Sequence, residues 1–292
     1  MDKTENRSIG ALVGLAIGNA LGLQTVATPR EALTRVVGMI GGGVYDMIPG
    51  DWGDAMAMAM ATSTSLIKRK GFDATSVMSH WYVCITRGDF TVHGRILDSA
   101  QITRDKVMAF QIGEHPRMTP CDSRSTDCLA RMAPISIMCR GKVQDCTKFS
   151  KLQTDLTQAN EVTQTVGMWL ANSMRLSIQN GSGKDAILSL SNSLNPKIGK
   201  WRDKPRAMMI PAANVVDAVK VVLWSIDTTN TFEEALITAV SLGGDSANIG
   251  AITGQLAGAI YGYDAIPARW LDQLAWKDYI VTTARELHRL SL

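Results

Sequence analysis

The sequence predicts an all-α fold, and three observations predict it. Apolar residues recur at helical spacing, as Val162, Val166, Trp169, Leu170 and Met174 do, whereas strict period-two alternation is scarce and β-branched runs are short. Aromatic residues make up 6% of the 292 residues while methionine reaches 15, which describes an aliphatic, thioether-rich core closed by small side chains. Two segments, 9–23 and 249–261, mix Gly and Ala in the manner of buried helices that approach a neighbour closely. The expectation is a compact single domain over residues 1–292, built from about ten or more helices.

Taken in order, Ile9 to Leu23 carries Gly10, Gly14, Gly18 and Gly22 at every fourth position, which aligns them on one helix face. Residues 38–53, with Gly41-Gly42-Gly43 and Pro49-Gly50, read as a loop. Asp54 to Ile67 is rich in strong helix formers, and Asp54 stands where a carboxylate suits the positive end of the dipole and the free N–H groups. Asp73 to Thr86 and Ser99 to Phe110 follow as helices, then a loop from Gly113 to Ser125 with Pro116, Pro120 and Cys121. Leu129 to Cys139 is apolar around Pro134, and Leu152 to Asn180 reads as one long helical stretch. Asp185 to Leu194 is a short helix and Asn195 to Pro211 a basic, proline-bounded loop. Val215 to Ile226 has an apolar face, and Thr231-Phe-Glu-Glu opens the next helix with a capping-box-like pattern. Leu242 to Ser246 is a Gly-Gly-Asp turn, Ile249 to Tyr261 a second small-residue helix, and Trp270 to Leu290 the last.

Charge and cysteine usage narrow the function classes. Thirty Lys+Arg against 27 Asp+Glu leave a formal +3, too balanced for a nucleic-acid footprint. No apolar run reaches membrane-spanning length, and the first residues lack the basic-then-apolar pattern of a leader, so no membrane partner is expected. Cys84, Cys121, Cys128, Cys139 and Cys146 include no CxxC pair, which fits reduced thiols and a cytoplasmic location. His80, His93, His115 and His288 give little material for a histidine-based metal site. The cluster Lys197, Lys200, Arg202, Lys204 and Arg206 around Trp201 reads as a solvated loop, with a partner- or phosphate-binding loop as the alternative.

Several segments, in order and spread over nearly the whole chain, carry a resemblance. Gly10-Ala-Leu-Val-Gly-Leu-Ala-Ile-Gly-Asn-Ala-Leu-Gly22, Trp52-Gly-Asp-Ala-Met-Ala-Met-Ala-Met60 and Arg131-Met-Ala-Pro134 are followed by Thr231-Phe-Glu-Glu-Ala-Leu236, by the stretch Leu242 to Gly258, and by Ile266-Pro with Trp270. Together these resemble the ADP-ribosylglycohydrolase family, with its G-x-x-x-G-x-x-x-G-D-A-L-G, W-T-D-D-T-x-M-A-L, M-R-x-A-P, T-F-x-E-A-L, L-G-G-D-A-D-T-x-G-A-I and I-P-x-x-W motifs. The resemblance implies an all-α fold and a pair of magnesium ions held by the two acidic motifs, where they polarise the ribose of an ADP-ribosyl group for attack by water.

Against that pattern the chain departs at each catalytic segment. The opening Asp is Asn19, and the Glu expected a few residues later falls at about Val26. Thr, Asp, Asp, Thr of the first acidic motif become Gly53, Asp54, Ala55, Met56, and Asp, x, Asp, Thr of the second become Asp245, Ser246, Ala247, Asn248. The Gly-Asn-Gly-Ser loop against the phosphates becomes Ser125, Thr126, Asp127, Cys128, and a Thr-His pair becomes Thr157-Gln158. The candidate cleft is therefore Asn19, Asp54, Ser125, Thr126, Asp127, Cys128, Gly243, Gly244, Asp245, Ser246 and Asn248. Only Asp54 and Asp245 are left as residual metal ligands, enough for no cofactor or for one weakly held magnesium ion. Each of these two also has a plain reading as a helix N-cap. Asp127 would repel a pyrophosphate unless it faces away, and Cys128 is a buried hydrophobe or a reactive thiol. The expected function is that of a catalytically degenerate relative binding a protein partner, or ADP-ribose or a related nucleotide in the old cleft. The alternatives are an active ADP-ribosyl hydrolase with one metal or none, and a structural protein.

Overall fold

The computed structural model describes residues 1–33, 36–110 and 115–291. The first helix, α1 (Lys3–Leu23), begins ahead of the glycine-rich run because Asp2 accepts the free N–H groups of Thr4 and Glu5. After the loop come α2 (Asp54–Arg69), α3 (Ala74–Arg87), capped by Asp73 on the Ser76 N–H, and α4 (Gln101–Met108). Pro134 occupies the first turn of α5 (Ala133–Met138), where its missing N–H costs nothing. Then follow α6 (Val143–Asp155), α7 (Glu161–Asn180), α8 (Lys184–Leu190) and the short α9 (Asn195–Ile198). The chain continues through α10 (Val215–Asp227), α11 (Phe232–Val240), α12 (Ser246–Tyr261), α13 (Ala268–Gln273) and α14 (Lys277–Arg289). Among the described residues β-pairing is confined to isolated bridges, Gly42 with Met47 and Pro120 with Ala159. The fold class is all-α, as expected. No helix among the described residues is long and apolar enough to cross a membrane.

Three expectations need correction. The stretch 152–180 is two helices: the chain breaks between Asp155 and Glu161, where Asn160 caps α7 on the Val162 N–H and the side chains of Thr157 and Gln158 turn inward. The closing segment is also two helices, separated at Trp276, whose φ of +57° lies in the left-handed region. The basic segment 195–211 is not all loop; it contains α9 and a 3₁₀ turn at Arg206–Met208, and its Trp201 is buried. The predicted loop start at Gly113 lies outside the described residues.

At the centre α1 and α12 run antiparallel with their backbones almost touching. A Cβ placed on Gly10, Gly14, Gly18 or Gly22 would come within 2.4, 2.2, 1.9 or 2.1 Å of the carbonyl oxygens of Gly258, Gly254, Gly250 and Ser246. Only glycine permits that approach. The register brings the C-terminal end of α1 beside the N-terminal end of α12, and so sets Asn19 beside Ala247. Met56, Met58 and Met60 of α2 are buried core residues.

Candidate functional site

Helix starts converge on one point. Asn19, buried in α1, accepts the Gly53 N–H through Oδ1 at 2.8 Å and donates from Nδ2 to the Ala247 carbonyl at 3.2 Å. It thereby joins the two acidic segments, a pairing that needs an amide because an ionised carboxylate has no donor to offer Ala247. Gly243 and Gly244, both at positive φ, shape the turn before α12. That turn is fixed by Ala27 N–H to Gly244 O at 2.9 Å and Asp245 N–H to Pro211 O at 2.8 Å. Ser246 is not in the cleft proper: it is fully buried and its hydroxyl bonds the Gly22 carbonyl.

Asp54 is the first residue of α2, after the N-cap Gly53, and Asp245 holds the N-cap position of α12, yet neither side chain does the work of a cap. Neither carboxylate bonds an N–H of its own helix. Asp54 reaches across to another segment, accepting Leu97 N–H on Oδ1 and Asp98 N–H on Oδ2, each at 2.7 Å. Asp245 accepts the Thr126 hydroxyl at 2.6 Å and the Asn248 amide at 3.0 Å. Asp127 is turned inward rather than away. It accepts Ala100 N–H at 2.8 Å and the Ser125 hydroxyl at 3.1 Å, and lies 3.4 Å from Asn248 Nδ2. With carboxylate oxygens of Asp245 and Asp127 around it, the Asn248 side chain presents its nitrogen, not its oxygen.

Burial sets the electrostatics. It raises Asp54 to about 7, against the opposing effect of its two backbone donors, with Asp98 and Asp127 adding like charge. Burial likewise raises Asp245 to about 7, and Asp98 is pushed upward for the same reason. Cys128 is fully buried and burial lifts its thiol to about 12, so it is no nucleophile at neutral pH. Behind the carboxylates lies Arg131, 1% exposed and stacked 4.2 Å over Trp81. It donates to Met58 Sδ at 3.2 Å and Thr157 Oγ1 at 2.7 Å, while its Nε has no hydrogen-bond partner among the described residues. Burial lowers its affinity for its proton, and the Asp127 charge opposes that.

The space that Asp54, Ala55, Asp98, Asp127, Arg131 and Asn248 line measures about 10 Å³. That is room for about one water molecule, where small-ligand sites commonly offer 300–1,000 Å³.

The family model for ADP-ribosylglycohydrolase matches residues 1–291. The chain belongs to the ADP-ribosylglycohydrolase family. It is 30% identical to ADP-ribosylarginine hydrolase Tri1 of Serratia proteamaculans (strain 568), over 97% of this chain and 79% of that protein. It is 26% identical to ADP-ribosyl-[dinitrogen reductase] glycohydrolase of Rhodospirillum rubrum, over 93% of this chain and 91% of that one. A solved structure described as an ADP-ribosylglycohydrolase-related protein complex superposes with a TM-score of 0.88 at 27% identity, covering 100% of both chains.

An ADP-ribosylglycohydrolase metal pair needs several oxygen acceptors aimed at a common point. This donor set does not fit it. Both Asp54 oxygens face backbone N–H groups, both Asp245 oxygens face side-chain donors, and Asn248 offers an N–H₂ where a ligand oxygen is required. Ala55 and Ala247 contribute no polar atom. Among the described residues no three His, Cys, Asp or Glu side chains are grouped to hold an ion.

Of the candidate residues, the fold brings together Asn19, Asp54, Thr126, Asp127, Asp245 and Asn248, with Ser125 bonded to Asp127 and the Gly243-Gly244 turn behind; Ser246 and Cys128 face the core. Sequence reasoning missed Asp98 and its partner Tyr45, whose hydroxyl donates to Asp98 Oδ1 at 3.0 Å. No motif marks either residue. Arg131 was read only as part of a motif, although a lone arginine in an apolar Leu129–Cys139 segment was the available signal.

Proposed function

We propose that this chain is a catalytically degenerate ADP-ribosylglycohydrolase-like protein that acts by binding, and that its partner is a protein rather than a nucleotide in the old cleft. The observation that carries the reading is the inversion of the cleft: the carboxylates of Asp54, Asp127 and Asp245 face the chain's own donors, and the space that Asp54, Asp98 and Asp127 line measures about 10 Å³. Relatives named as ADP-ribosylarginine hydrolase and as ADP-ribosyl-[dinitrogen reductase] glycohydrolase make an ADP-ribosyl hydrolase the alternative. For a protein partner, Val37, Ile40, Val44 and Ile48 offer apolar surface, each more than 60% exposed, on the loop beside the cleft. Calorimetric titration with magnesium chloride and then with ADP-ribose tests the reading. The expected result is no heat of specific binding from either, up to millimolar ligand. Stoichiometric binding of ADP-ribose would restore the nucleotide reading, and two equivalents of magnesium would restore the hydrolase.

A further inference from the structure

The segment between α3 and α4 has no regular secondary structure, yet it is tied down along its length by side chains from elsewhere. His93 Nε2 sits 3.4 Å from Asp51 Oδ2. Leu97 and Asp98 each donate a backbone N–H to Asp54 at 2.7 Å, and Ala100 donates one to Asp127 at 2.8 Å. The loop carrying Tyr45 also reaches the segment, its hydroxyl donating to Asp98 at 3.0 Å. Leu97 packs on a small apolar cluster of Leu23, Val26, Met47 and Ala247, together with the Tyr45 ring, at the meeting of α1 and α12. Ser99, 5% exposed, turns its hydroxyl into the residual space without a hydrogen-bond partner among the described residues.

We infer that residues 93–100 form a strap latched shut across the cleft, that Asp54 and Asp127 are its latch, and that the strap is what excludes an ADP-ribosyl-sized ligand. Bonds from N–H groups to a carboxylate are short and, where it is ionised, charge-assisted, and three of them within residues 97–100 tie this irregular segment to two side chains. Tyr45 holds the strap through Asp98 as well, so opening requires the strap and the Tyr45 loop to part. The inference goes beyond the proposed function and does not depend on it: an active enzyme with this strap would have to open it before each turnover.

Residue-resolved amide hydrogen exchange on the full chain tests it, with a readout independent of activity. In the unaltered protein the amides of Leu97, Asp98 and Ala100 should exchange far more slowly than exposed loop amides. Asp127→Asn should speed exchange at Ala100, and Asp54→Asn at Leu97 or Asp98, by about tenfold or more, the effect of removing one charge-assisted hydrogen bond. Amides of α1 and α12 should be unchanged in both variants, which separates an opened strap from a damaged fold. Tyr45→Phe gives the same reading without replacing a cleft carboxylate: its loss of one bond to Asp98 should raise exchange across the strap. In addition, a thiol placed beneath the strap by Ala55→Cys should be alkylated about tenfold faster or more when Asp127→Asn is also present, by the same measure. Rapid exchange of the strap amides in the unaltered protein, or equal exchange and alkylation with and without the latch residues, would overturn the inference. Catalytic turnover with a protected, latch-sensitive strap would contradict the proposed function alone.

Discussion

Asp245 shows at the scale of one residue what the cleft costs the molecule. Its folded pKa, about 7, lies above the ordinary 3.8, because burial penalises the charged form more than Thr126 and Asn248 relieve it. Between those values the folded chain holds a proton that the unfolded chain has released. Stability must therefore fall as pH rises from about 4 to about 7, by up to about 1.4 kcal/mol per pH unit for each such group, and level off above. Asp54 acts in the same direction. Urea unfolding across that range should show a shallower decline for Asp245→Asn than for the unaltered protein; parallel curves would show that the carboxylate is charged throughout. Cys128 gives a second test. Its buried thiol should resist alkylation at neutral pH while the partly exposed Cys121 reacts first, as mass mapping of labelled peptides would show; preferential labelling of Cys128 would reverse the assignment. The sequence names Asp54, Asp127 and Asp245 but not their partners. A carboxylate that bonds a backbone N–H more than forty positions away, as Asp54 does, leaves no local signature.

Among the elements, α1 and α12 were the most legible. Four glycines at one helical face require a close neighbour, and a second small-residue helix was there to supply it. The prediction that follows is strong: Gly14→Leu must force apart backbones so near that a Cβ on Gly14 would lie 2.2 Å from the Gly254 carbonyl oxygen. It should destabilise by at least about 1–3 kcal/mol, the usual cost of overpacking, read as a lowered urea midpoint. A native midpoint would mean that the two helices do not touch as described. The breaks near residues 156–160 and at Trp276 were not legible, because apolar periodicity runs up to both from either side. Their causes are tertiary: Thr157 turned toward Arg131, Gln158 toward Thr103, and Ala275 N–H bonded to Gly50 O.

For the whole molecule, the departures from the family motifs are set into the core and not only into the cleft. Met56 is fully buried and Ala247 is 2% exposed, while a Cβ at Gly53 would meet Leu23 at 3.0 Å. Restoring the acidic motifs by Gly53→Thr, Ala55→Asp, Met56→Thr, Ala247→Asp and Asn248→Thr therefore repacks α2 and α12 as well as adding ligands. Asn19 and the Ser125–Cys128 loop stay as they are, and groups that act as a unit give little rate when half rebuilt. Calorimetry of that variant should show magnesium binding before any hydrolysis appears; full activity would mean that the remaining cleft was competent throughout. The measurement closest to the central claim uses the unaltered chain: release of ADP-ribose from an ADP-ribosylated arginine peptide, with magnesium in excess. A degenerate, self-satisfied cleft predicts release no faster than the peptide alone. Sustained, magnesium-dependent release that is lost in Asp54→Asn and Asp245→Asn would contradict it.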